Sequence, residues 1–185
     1  HMLLNTPICN FGWQAPDFTL ALPGGETHTV SSYVGQQGVW VVFLCNHCPY
    51  VQAIADRSAT DAQTLQRQGI AVLGVMSNDD RSAPSAAPAL MQRCAQQHGW
   101  TFPYLVDEGQ HVGRSSDAVC TPDFFGFNSA GHLPYRGRLD NTGFNDPASR
   151  APELVNAMAL NATTGHGPTE QTASVGCSTK WAQGR

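Results

Sequence analysis

Charge is scarce in this chain of 185 residues: Asp, Glu, Lys and Arg supply 13% of it, against about 25% in an average domain. A net charge of −4 is too small to keep the chain unfolded by self-repulsion. No Lys/Arg cluster occurs and the pI is near 5.9, which argues against nucleic acid or an anionic membrane surface as a partner. Long apolar runs are missing too. The longest, Val39-Trp-Val-Val-Phe-Leu-Cys45, falls far short of the roughly 18 residues that span a bilayer and has the length of a strand. Leu3-Leu4-Asn5-Thr6-Pro7 lacks the basic region and apolar core of a secretory signal, so a cytoplasmic protein is expected; His1 and Met2 read as a cloning scar and the native start. Six cysteines, at 9, 45, 48, 94, 120 and 177, are too few and too scattered for a disulfide-stapled scaffold.

What is present is a succession of strand and helix patterns over a length suited to one domain, placed at residues 3–161 with a polar tail over 162–185. Phe18 and Leu20, then His28 and Val30 across Pro23-Gly24-Gly25, predict an N-terminal β-hairpin. The run 39–44 predicts a central strand covered on both faces. Pro49 opens a helix whose Val51, Ile54, Ala55, Ala62 and Leu65 share a face, and Gly69 closes it. Residues 70–76 form a second buried strand, a helix through Leu90, Met91 and Cys94 ends at Gly99, and a short helix follows near 110–117. Phe124–Phe127 and Leu133–Arg138 flank Asn128-Ser-Ala-Gly131 as a hairpin, and a last helix begins around Pro152. Two parallel strands with a crossover helix, then a hairpin and a helix, give an α/β sandwich. Cys45 and Cys48 fall on the loop after the first central strand, at the carboxyl end of the sheet.

The spacing of those two cysteines carries chemistry. A disulfide needs Cα atoms about 4.4–6.8 Å apart, and two intervening residues at a loop-to-helix junction meet that distance. Helix onset offers unpaired amides and partial positive charge that favour thiolate, and His47, as imidazolium, would push the same way. A C-x-x-C beside a βαβ pattern signals redox exchange. The second ligand pair of a zinc site is missing, and His98, His111 and His166 show no ligand spacing.

Cys45-Asn46-His47-Cys48-Pro49-Tyr50-Val51, behind Ala15-Pro16-Asp17-Phe18, resembles the bacterial thioredoxin-like proteins with a CNHCPYV signature, within the thioredoxin, redoxin and peroxiredoxin superfamily. The resemblance continues through Phe102-Pro103-Tyr104-Leu105, Cys120-Thr121-Pro122-Asp123-Phe124-Phe125, Tyr135-Arg136-Gly137 with Asp140, and Gly176-Cys177-Ser178 with Lys180-Trp181. Gln52 stands where the family commonly has Lys, and Thr179 where an aliphatic is common. The resemblance implies a thioredoxin fold, a central mixed sheet flanked by helices, here with the N-terminal hairpin and the C-terminal tail added. It implies that Pro122 is cis and faces the active pair, and that the backbone of Thr121 pairs with an extended substrate segment. Asn46 and Pro49 complete the positioning set.

The expected function is thiol–disulfide oxidoreduction by Cys45 and Cys48 on a disulfide- or thiol-bearing protein or a small thiol, with no cofactor. Thioredoxin analogy makes Cys45 the attacking thiol and Cys48 the resolving one, although Cys48 stands nearer the helix amides. A His before the second cysteine suggests a potential of about −180 to −240 mV, between protein disulfide isomerase and thioredoxin. The alternative is a thiol peroxidase acting on peroxide. Against P-x-x-x-T-x-x-C-P, Cys48-Pro49 matches, Cys45 replaces the Thr and Val41 the leading Pro. The distant Arg falls where the chain has Val-Cys-Thr at 119–121, leaving Arg114, Arg136 and Arg138 as substitutes. A third reading is a copper-handling module, though its usual cysteine spacing has three intervening residues. Val39 occupies the position of the thioredoxins' buried Asp, so proton transfer must use water, Asn46 or another group. Cys94 is expected in the core and Cys9 in packing. Cys120 is expected near the active site, as packing or as an auxiliary thiol exchanging with the pair, and Cys177 packs with Trp181 or acts as an auxiliary, resolving thiol. Tyr50 and Trp100 are expected in the core or at its rim.

Overall fold

Val39–Phe43 has no polar face, and as strand β4 it is buried along its whole length. It lies in the interior of a seven-stranded sheet, where both of its edges find partners. The structure, a computed structural model, describes residues 3–5, 14, 17–34, 37–79 and 87–182. Before β4 come β1 (Leu3–Asn5), β2 (Thr19–Ala21), β3 (Thr27–Thr29) and the short α1 (Ser31–Val34). After it come α2 (Pro49–Arg67), β5 (Ala71–Met76), α3 (Pro88–His98), β6 (Tyr104–Val106) and α4 (His111–Ser115). Then follow β7 (Cys120–Thr121), β8 (Asp123–Phe127), β9 (Tyr135–Gly137), α5 (Glu153–Thr164) and β10 (Val175–Ser178).

The large sheet runs β3-β2-β6-β5-β4-β8-β9. β4 pairs in parallel with β5 through the α2 crossover and antiparallel with β8, and β8 pairs antiparallel with β9. This is the mixed sheet flanked by helices of a thioredoxin fold. The expected N-terminal hairpin is β2 and β3, and it extends the sheet by joining β6 at Ala21↔Val106. Cys9 and Ala15-Pro16 lie outside the described residues.

Alternation along β4 divides the core. Trp40 and Val42 meet Val51, Ile54, Ala62 and Leu65 of α2, with Leu154 and Met158 of α5, on one face. Val39, Val41 and Phe43 pack with Phe125, Phe127 and Leu133 on the other. Each large apolar side chain so buried contributes about 1.5–3 kcal/mol. Pro49 takes the first helical position of α2, where its missing N–H costs nothing, and Cys48 is the N-cap in an extended conformation. Gly69 in the left-handed region (φ 82°) ends that helix and turns the chain into β5.

The residues after 161 include a strand that sequence patterning left within a polar tail. β10 lies between β1 and β7 in a second, three-stranded antiparallel sheet. Its partner β7 immediately precedes Pro122, so this small sheet brings β10 to the active loop.

Candidate active site

The apolar strand β4 and the Pro49-started helix α2 leave Cys45, Asn46, His47 and Cys48 on the short connection between them. Both cysteines are free thiols and both are buried, Cys45 at 7% exposure and Cys48 at 1%. The Thr121–Pro122 peptide is cis, as the resemblance implies. Thr121 reaches both sulfurs: its hydroxyl lies 3.3 Å from Cys45 Sγ, and its carbonyl 3.3 Å from Cys48 Sγ.

The two thiols share a hydrogen bond, and its consequences are opposite at the two ends. The bond to Cys48, followed by burial, holds the Cys45 thiol well above the range of a free cysteine. The same bond pulls Cys48 down to about 5 against its own burial, helped by Cys177 and by the Val51 amide in the first turn of α2. The Thr121 carbonyl is an acceptor and favours the thiol form of Cys48, but the donors around that sulfur outnumber it. Both directions favour the proton on Cys45 and the negative charge on Cys48. These directions make Cys48, and not the Cys45 expected to attack, the more acidic of the two thiols. Cys45 is the more exposed of the two, at 7% against 1%, and both are buried.

His47 is exposed, and the part of it that faces Cys45 Sγ is the backbone amide. Asn46 is buried and holds the loop: its side chain accepts from the Tyr104 hydroxyl at 3.0 Å and donates to the Ala87 carbonyl at 3.3 Å. Gln52 donates to the Asn46 carbonyl at 3.5 Å, so the residue in place of the family Lys steadies the loop. Cys94 lies in the core as expected, 3.8 Å from the Asn46 carbonyl, with burial lifting its thiol to about 11. Cys120 is fully buried, leans on the Pro122 carbonyl and is strongly raised, by burial first and then by Asp123. That keeps it a thiol.

Cys177 is the residue whose position patterning could not supply. β10 pairs Cys177 with Thr121, so the backbone edge that the resemblance reserves for a substrate segment is already taken by the chain itself. The Cys177 side chain hydrogen-bonds Cys48, and its amide also faces the Cys48 sulfur. Beside this cluster, a groove of about 470 Å³ runs past Pro122 between Tyr50, Ile54, Phe144, Ser174 and Val175. Phe144 is 63% exposed and meets Tyr50 edge-on at 4.9 Å, making both the rim of that groove. Trp100 is core, its indole N–H bonded to the Ala55 carbonyl at 3.2 Å.

The three arginines expected as substitutes for the peroxide-holding Arg are engaged elsewhere. Arg136 pairs with Asp123 at 2.8 Å and stacks on Phe125, Arg138 pairs with Glu153 at 2.6 Å, and Arg114 lies over Trp181 at 4.5 Å. Among the described residues no group of three or more His, Cys, Asp or Glu is arranged to hold a metal ion. No helix among them is long and apolar enough to cross a membrane.

A folded pKa of about 5 against an ordinary thiol near 8.5 has a direct readout. Thiolate absorbance at 240 nm in the reduced protein should rise by one thiolate per chain as pH increases through about 5, and Cys48→Ser should remove that rise. Between those two pH values the native pair has released a proton that the unfolded chain keeps, so the reduced protein gains stability as pH rises. A first midpoint near 8.5 would contradict the assignment of the charge to Cys48.

Comparison with known proteins agrees with this architecture. An uncharacterized conserved protein of Geobacillus kaustophilus superposes with a TM-score of 0.93 at 30% identity, covering 100% of this chain and 99% of its own. A hypothetical protein of Sinorhizobium meliloti 1021 gives 0.89 at 30% identity, covering 97% of this chain and 99% of its own. A secreted disulfide oxidoreductase of Mycobacterium tuberculosis gives 0.60 at 18% identity over 77% of this chain and 95% of its own, a likeness of fold. No curated protein matches the chain in sequence. The AhpC/TSA family profile matches residues 11–136, a stretch that carries the paired cysteines, α2 and the Thr121-Pro122 loop and reaches into β9. On that match the chain belongs to the AhpC/TSA family.

Proposed function

We propose that this protein is a thiol–disulfide oxidoreductase in which Cys48 attacks and Cys45 resolves. The observation that carries the reading is geometric: two buried free cysteines at the start of α2, Cys48 at its N-cap, both 3.3 Å from Thr121 beside the cis Pro122. The lowered Cys48 and raised Cys45 support the order of attack. Cys48 thiolate attacks a substrate disulfide, forming a mixed disulfide and expelling one substrate sulfur, which takes up a proton. With Cys48 neutral, the bond that raised Cys45 is gone, and the Thr121 hydroxyl favours its thiolate. Cys45 then attacks Cys48 Sγ, the Cys45–Cys48 disulfide forms, and the second substrate sulfur leaves. Run in reverse, the same steps oxidise a dithiol. Occupation of the Thr121 edge by β10 favours a small disulfide, or a protein loop entering along the Pro122 groove, over an extended peptide.

The peroxidase reading is weaker on this geometry, because Arg114, Arg136 and Arg138 are held by other partners. The two readings separate in one experiment. Reduced protein mixed with oxidised glutathione should release two thiols per chain, and the same protein should consume hydrogen peroxide more slowly at equal concentration. Faster consumption of peroxide would replace the oxidoreductase by the peroxidase.

A further inference from the structure

Cys48 has a sulfur neighbour on each side. Cys45 touches it from the β4 side, and Cys177 touches it from β10. The second contact is built by the fold. β10 is zipped onto β7 with Cys177 opposite Thr121, and Thr179 continues the pairing through its amide to the Val119 carbonyl at 3.0 Å. Gly176 allows that approach, since a Cβ there would lie 2.1 Å from the Thr121 carbonyl oxygen. Cys177 is 3% exposed, so its sulfur faces the cluster and not solvent. The amides of the first turn of α2 serve both sulfurs, Val51 facing Cys48 and Tyr50 facing Cys177.

We propose that Cys177 is a third redox thiol, held on the Thr121 edge by β10 so that Cys48 forms a disulfide with either Cys45 or Cys177. This rests on the proposed exchange activity and adds a second resolving route to it. After Cys48 has attacked a substrate disulfide, Cys177 in place of Cys45 attacks Cys48 Sγ. The Cys48–Cys177 bond forms, the bond from Cys48 to the substrate breaks, and the substrate sulfur leaves with the proton of Cys177. Starting from the Cys45–Cys48 disulfide, the same attack forms Cys48–Cys177 and releases Cys45 as a thiol, an isomerisation with no net oxidation. In the resting protein Cys177 is raised to about 11, by burial first and then by its hydrogen bond to Cys48. Once Cys48 is bonded to another sulfur, that second cause disappears, while the Tyr50 amide and the Lys180 charge still favour the Cys177 thiolate. The event that Cys177 resolves thus removes the Cys48 contribution to its raised pKa and leaves that of burial. Cys120 is also buried near Cys48, but its contact is with the Pro122 carbonyl, so it takes no part.

The test is disulfide mapping after oxidation. The wild-type chain, Cys45→Ser and Cys45→Ser/Cys177→Ser are each treated with excess oxidised glutathione, quenched in acid and digested without reduction. Cys45→Ser should yield mainly the Cys48–Cys177 disulfide, with glutathione bound at least tenfold less than in the double variant, where nothing resolves it. In the wild type, which carries no substitution that could disturb folding, Cys48–Cys177 peptides should appear beside Cys45–Cys48. Stable glutathione on Cys48 of Cys45→Ser, with Cys177 left as a thiol and no Cys48–Cys177 peptide in the wild type, would overturn the proposal. A wild type forming only Cys45–Cys48 would sink the third thiol and leave the exchange activity standing. A wild type lacking Cys45–Cys48 but showing Cys48–Cys177 would leave the third thiol standing and remove Cys45 as the resolving thiol of the proposed function.

Discussion

Cys48→Ser should lower disulfide exchange by roughly a thousandfold or more, because a serine hydroxyl stays protonated at neutral pH and an un-ionised hydroxyl does not attack sulfur. The loss should fall on the first chemical step, so no mixed disulfide accumulates. Cys45→Ser should behave differently. The attacking thiolate survives in it, although without the hydrogen bond that is the largest cause of the low Cys48 pKa. Its thiolate titration should therefore move upward from about 5, and its initial attack at pH 6 should slow by less than the Cys48 variant's. Limiting iodoacetamide at pH 6 checks the same point, with Cys48 expected to label ahead of Cys45. Equal loss of the first step in the two variants, or preferential labelling of Cys45, would return the nucleophile to the first cysteine.

The second large effect is on stability. Asp123, on β8 just after Pro122, is fully buried and pairs with Arg136, itself 6% exposed, through two contacts of 2.8 and 3.3 Å. Burial lifts the Asp123 carboxyl to about 6 in spite of that arginine, so desolvation exceeds attraction. A pair of this kind adds little net stability, yet breaking it is costly. Asp123→Ala leaves the guanidinium with the Asp117 carbonyl and the Phe125 ring alone, and should cost about 3–5 kcal/mol. For a chain of this size that is a fall of roughly 6–20 °C in Tm. Asp123→Leu combined with Arg136→Met should recover most of it, since no charge is then left buried. Asp123 belongs to the Phe125 face of β8, away from the cysteines that pack with Phe124, so the thiolate titration should be unchanged. A loss under about 1 kcal/mol by urea unfolding would show that Arg136 finds water on its own.

The elements that could be read from sequence are those set by local chemistry. Pro49 marks the start of α2 because a residue without an N–H fits only the first turn, and Gly69 and Gly99 mark helix ends because the left-handed region suits glycine. The run 39–44 announced β4 because a strand covered on both faces has no polar positions. β10 could not be read this way. Val175-Gly-Cys-Ser178 has no period, and it is a strand because β1 and β7, far away in sequence, give it two edges. Proximity of Cys45 and Cys48 followed from their spacing. The downward shift of Cys48 did not, because it depends on Cys45 and Cys177 together, which only the folded arrangement brings around it. Asp140 shows the same limit. It stands in a family-like position, but its grip on Arg57 at 2.8 Å and Arg150 at 3.4 Å, which fixes the loop beside the Pro122 groove to α2, joins residues up to 83 apart.

The most direct test of the account is a titration of the cysteines against glutathione buffers at pH 7, with the Cys45–Cys48 disulfide counted by peptide mass at each ratio. The account predicts a two-electron couple at about −180 to −240 mV, above the value near −270 mV of thioredoxin, because a thiolate stabilised in the reduced form makes the disulfide more oxidising. A potential below that of thioredoxin, or no Cys45–Cys48 disulfide at any ratio, would contradict it.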